Sequence, residues 1–64
     1  MMLTVEEMKQ QAAEHKLVGE DIGALFYKEE ECAKLTTNEA IDYMVKELGH
    51  GEFQDLFTSL LMDL

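Results

Sequence analysis

Arginine, proline and tryptophan do not occur in this 64-residue chain, and cysteine and serine occur once each, as Cys32 and Ser59. A lone cysteine cannot close a disulfide within the chain, so a secreted, bridge-stapled scaffold is excluded and a reducing, cytoplasmic setting is expected. Without proline there is no stiff linker, and no internal repeat or low-complexity tract divides the chain. Without arginine, five lysines stand against fourteen Asp and Glu, a formal net charge of −9. Phosphates are bound by cationic side chains that displace counterions, so direct nucleic-acid binding is not expected. An anionic membrane would repel the chain for the same reason. No run of about 18 apolar residues exists for a membrane span. The opening residues Met1 to Glu7 have neither a basic stretch nor a long apolar run, and read as neither signal peptide nor anchor.

The groups that catalysis needs are scarce or badly placed. Ser59 lacks the glycine-rich turn of a nucleophile elbow, and it is not in the Asp-Ser-Leu setting of acyl carrier proteins, another small acidic helical family. Cys32 follows Glu29, Glu30 and Glu31, whose charges disfavour a thiolate, so it reads as a small, half-buried apolar residue. Gly49-His50-Gly51 is too short for a phosphate loop, and His50, Glu52 and Asp55 match no recognised metal-ligand spacing. His15 sits where a helix C-terminus favours positive charge and reads as a capping or solvent-facing group. No catalytic, cofactor or metal site is predicted, and the chain reads as a non-enzymatic protein.

What the sequence holds is helical periodicity, which predicts one all-α domain over residues 1–64, a small three- to four-helix bundle. Thr4 with Glu7 forms a capping box at the start of a first helix, about residues 5–16, whose narrow stripe of Val5, Met8 and Ala12 marks it as short or peripheral. Gly19 is expected to supply the turn that follows. A second helix opens with Glu20 and Asp21 and carries Ile22, Leu25, Phe26, Ala33 and Leu35 inward. Gly23 lies inside it, at a cost of roughly 1 kcal/mol relative to alanine unless it serves close packing. Thr36 with Glu39 caps a third helix with Ile41, Met44, Val45 and Leu48 on one face, stopped by Gly49. Tyr43 falls off that stripe and either shields the core edge or adds to a contact surface. His50-Gly51-Glu52 reads as a flexible joint.

The last segment is the most apolar in the chain. Phe53, Leu56, Phe57, Leu60, Leu61 and Leu64 form one wide helical face. Phe53-Gln54-Asp55-Leu56-Phe57 resembles the Phe-x-x-Leu-Phe segments that dock in receptor grooves. Phe53, Phe57 and Leu60 have the spacing of acidic activation-domain helices. Asp55-Leu56-Phe57 resembles the tail of bacterial sliding-clamp peptides, with Phe53 where that motif has glutamine. These resemblances imply groove docking, whereas the periodicity, which any amphipathic helix rich in Phe and Leu shows, reads first as that of a core helix.

Charge and fold class together lead to a functional expectation: a small acidic protein-binding module that inhibits or modulates a partner protein through that partner's basic surface, of which a nucleic-acid-binding surface is one case. In composition it resembles phage- or plasmid-borne anti-defence proteins and nucleic-acid mimics. Glu29, Glu30, Glu31, Asp42, Tyr43 and Glu47 are the candidate partner-binding residues. The alternative is a structural homo-oligomer, such as a homodimer, with Phe53, Phe57, Leu60 and Leu61 as its interface.

Overall fold

The computed structural model describes residues 3–64, so Met1 and Met2, which open the segment read as neither leader nor anchor, lie outside the described residues. Among the described residues five α-helices and one 3-10 turn follow in order: α1 (Val5–Glu14), α2 (Gly19–Gly23), the turn Ala24–Phe26, α3 (Glu29–Ala33), α4 (Thr37–Leu48) and α5 (His50–Asp63). No strand occurs among the described residues, and the all-α architecture is as the periodicity predicts.

Both predicted capping boxes form. Thr4 Oγ1 accepts from Glu7 N–H at 3.1 Å while Glu7 Oε1 accepts from Thr4 N–H at 2.8 Å. Thr36 and Glu39 repeat the exchange at 3.1 and 3.0 Å. Each box satisfies backbone donors that the first helical turn leaves without partners. At α2 only half a box is available. Val18 has no acceptor on its side chain, so the single bond runs from its N–H to Asp21 Oδ2 at 3.0 Å.

The turn after α1 is not made by Gly19. Lys16 takes the left-handed conformation with φ 56°. Lys16 N–H then donates to Ala13 O at 3.1 Å and Leu17 N–H to Ala12 O at 2.9 Å, the paired bonds of a Schellman ending. Gly19 instead opens α2, with a different task. A Cβ there would collide with the carbonyl oxygen of Cys32 and lie 2.5 Å from that of Leu35. One turn on, a Cβ at Gly23 would meet the Lys28 carbonyl oxygen and stand 2.7 Å from Cys32 Cβ. Gly23 therefore serves close packing, and the two glycines together form the bed on which α3 lies.

That bed explains why the second helix is broken rather than continuous. At its midpoint Tyr27 adopts φ 58°, and Lys28 N–H donates back to Gly23 O at 2.8 Å, which reverses the chain and lays Cys32 over the glycines. The reversal removes two residues from the expected inner face, since Phe26 is 43% exposed and Ala33 is exposed. Ile22 remains buried, and Leu25 and Leu35 pack half-buried at the core edge. A continuous helix would have buried a longer stripe but would have lost the contact between α2 and α3.

At the other end, Gly49 turns the chain in one residue at φ 91°, with Gly49 N–H bonded to Val45 O at 2.8 Å and Phe53 N–H to Gly49 O at 3.0 Å. The expected flexible joint at 50–52 is thus the first turn of α5. Its Phe53 and Phe57 rings stack, centroids 5.8 Å apart, in a core that also contains Met8, Ala12, Leu17, Ile22, Cys32, Ala40, Ile41 and Met44. Helix α1 is not peripheral as its narrow stripe suggested. Met8 and Ala12 are fully buried, and α1 packs on both α4 and α5. Beside the stripe Lys9 also reaches across, its Nζ lying 3.0 and 3.1 Å from the two Asp42 oxygens of α4.

Candidate functional site

The densest acidic run occupies the first turn of α3, where the backbone dipole favours negative charge. Glu29, Glu30 and Glu31 are all exposed. With Tyr27 they line a cleft of about 380 Å³. Tyr27 is 88% exposed, and its ring stands 6.0 Å from that of Phe26, tilted by 56°. The ion pairs among the described residues are those of Lys9, with Asp42 and, at 3.9 Å, with Glu6. The three glutamates of the cleft therefore carry charge that no partner within the described residues neutralises.

The other predicted contact residues are elsewhere. Asp42 is held by Lys9, Tyr43 packs half-buried against the core, and Glu47 is exposed on α4; none of the three lines the cleft. Tyr27, by contrast, is a member the sequence reading passed over. It is off every apolar stripe, and its adjacency to the Glu29–Glu31 run was the available signal.

The terminal stripe divides. Phe53 and Phe57 have no exposed surface, Leu60 and Leu61 are half-buried against the core, and Met62 and Leu64 are 81% and 65% exposed. A partner reaching the two phenylalanines would have to open the bundle. The Cys32 thiol is fully buried rather than half-buried. Burial, with Glu31 adding and Lys28 opposing, raises it above its ordinary 9.0. The unfolded chain thus releases this proton first, and the thiol's contribution to stability, intact at neutral pH, declines as pH climbs past about 9.

His50 has a structural partner that no motif announced. Its Nε2 hydrogen-bonds the Leu3 carbonyl oxygen, and Gln54 Oε1, one turn on, accepts from Leu3 N–H at 2.7 Å. A carbonyl can only accept, so Nε2 bears the proton. Both polar backbone groups of Leu3 are thereby satisfied by one face of α5, which holds the start of the chain against the terminal helix. His50→Ala should lower stability by about 1 kcal/mol, the net worth of one such bond. Urea unfolding checks this, and an unchanged midpoint would mean that the clasp is not formed in solution.

Among the described residues no three His, Cys, Asp or Glu side chains gather in a metal-holding group, and no helix is long and apolar enough to cross a membrane. No family model matches the chain, and no characterised protein or solved structure matches it either.

Proposed function

We propose that this chain is a non-enzymatic binding module that inhibits or modulates a partner protein by covering that partner's basic surface, of which a nucleic-acid-binding surface is one case. The observation that carries this reading is the group Glu29, Glu30 and Glu31, exposed and without ion-pair partners among the described residues, beside an exposed tyrosine, in a chain of net charge −9. Such a surface attracts cationic partners over a Debye length and raises their association rate. Anti-defence proteins of phage or plasmid origin that mimic nucleic acid would work on this principle. A reducing, cytoplasmic setting goes with it, since Cys32 is free and buried.

The oligomer alternative is favoured by Met62 and Leu64, which leave the end of α5 apolar and open. Two observations weigh against it. The accessible surface, 4239 Å², matches the ~4,200 Å² that a monomeric protein of 7.3 kDa exposes by size scaling. Two copies would also bring together like charges of −9 each.

The test is kinetic and uses the partner recovered on the intact chain. Association should slow by about tenfold or more on going from 0.1 M to 1 M salt, as the screening length falls from about 10 Å to about 3 Å. Replacing Glu30 and Glu31 by lysine should reduce the on-rate while stability stays within about 0.5 kcal/mol, because both side chains are exposed. Binding that ignores salt and survives the double substitution would move the contact off the acidic surface.

A further inference from the structure

We propose that the aromatic turn Phe26–Tyr27 is the docking point of this module, and that its occupant is an arginine-bearing segment of the partner with an apolar residue beside the arginine. The proposal rests on the basic-surface reading above and narrows it to one place and one chemistry.

Two large aromatic side chains stand exposed side by side, Phe26 at 43% and Tyr27 at 88%, in contact with each other. Folding does not account for the tyrosine. Its backbone has φ 58°, a conformation that side-chain-bearing residues resist and glycine accepts freely. A ring this exposed recovers little by burial. A glycine would serve the turn better, so the ring's worth lies outside the fold. The same ring forms one wall of the cleft whose other walls are Glu29, Glu30 and Glu31.

Charge complementarity selects the occupant. An aromatic face beside carboxylates suits a cation, and the guanidinium is the cation that both stacks on a ring and forks onto a carboxylate. Lysine presents a compact, strongly hydrated charge that gains less from the ring. Phe26, beyond the ring of Tyr27, then offers an apolar seat for the neighbouring residue of the segment. A second copy of this chain, with the same net charge, and an anionic lipid surface are both disfavoured by repulsion.

The probes are two amidated five-residue peptides, Arg-Leu-Arg-Leu-Arg and its lysine counterpart, titrated at low salt into the isotope-labelled full chain and followed by amide chemical shifts. The arginine peptide should shift Phe26, Tyr27 and Glu29 to Glu31 first and bind about five- to tenfold tighter than the lysine peptide. Tyr27→Gly should melt at a higher temperature than the native chain and yet bind the arginine peptide about fivefold more weakly. Tyr27→Phe, which keeps the ring, should bind normally. Shifts spread over other acids, with Tyr27→Gly binding as well as the native chain, would overturn the docking point while leaving the basic-surface reading intact. No binding of either peptide would also overturn it, and the salt titration on the recovered partner then decides the broader reading by itself. Concentration-dependent shifts of Phe26 and Tyr27 without peptide would assign the turn to a second copy and overturn the proposal.

Discussion

Alanine at Gly19 should cost the fold about 3 kcal/mol or more, and alanine at Gly23 nearly as much. The added Cβ at either position meets backbone, not the yielding end of a side chain. At Gly19 it is driven into the carbonyl oxygens of Cys32 and Leu35; at Gly23 it meets the Lys28 carbonyl oxygen and Cys32 Cβ. These carbonyls are themselves engaged. Lys28 O accepts from Cys32 N–H and Cys32 O accepts from Leu35 N–H, both at 3.0 Å, so displacing them loosens α3 as a whole. Overpacking a core commonly costs about 1–3 kcal/mol, and contact with fixed backbone belongs at or above the upper end. A chain of this length has a total stability of about 3–10 kcal/mol, and 1 kcal/mol corresponds to roughly 4–8 °C in melting temperature. Thermal unfolding followed by circular dichroism should therefore show a loss of at least about 12 °C. A melting point within a few degrees of the native chain would show that α2 and α3 do not lie this close.

Phe57→Ala should cost about 3–5 kcal/mol, the range for emptying the site of a fully buried aromatic. Phe57 has no exposed surface and stacks on Phe53 at 5.8 Å, so its removal strips one ring of its partner as well as leaving a void. The helices against which α5 packs, α1 and α4, contribute Met8 and Met44 to the same core. Flexible methionines can refill part of such a void, which places the loss toward the lower end. Leu64→Ala, at a position 65% exposed, should change stability by no more than about 0.5 kcal/mol. Measuring both variants by urea denaturation gives an internal contrast. Equal effects of the two substitutions would mean that α5 presents a different face to the bundle.

The parts of this protein that could be read from the sequence are those whose causes lie within a few residues. Thr4 with Glu7 and Thr36 with Glu39 are local exchanges of two hydrogen bonds, and the spacing alone specifies them. Gly49 was legible as a helix stop because a residue at φ 91° is most easily glycine. Phe53 and Phe57 were legible as the centre of an apolar stripe, though whether that stripe faced a core or a partner was not. The exposed glutamates of α3 were legible too, since a run of like charge must be solvated.

Where the reading failed, the deciding contacts lay far along the chain or opposed local preference. A lysine, Lys16, takes the left-handed turn that Gly19 was expected to make, and Tyr27 makes another where a continuous helix was expected, while Gly19 and Gly23 are used for their missing Cβ. That exchange of roles follows from α3 folding back over α2, and only the packed structure specifies that. Met8 is buried although its helix looked peripheral, because α4 and α5 close over it and Lys9 reaches across to Asp42. Leu3 is clasped by His50 and Gln54 across nearly the whole length of the chain. By itself the sequence determined the helical class, the caps, the net charge and the solvation of Glu29, Glu30 and Glu31, all of which depend on neighbours in the chain. Tertiary structure alone decided that Asp42 would be paired, that Tyr43 would pack inward, and that Phe53 and Phe57 would face a core, because each depends on which helix lies against which.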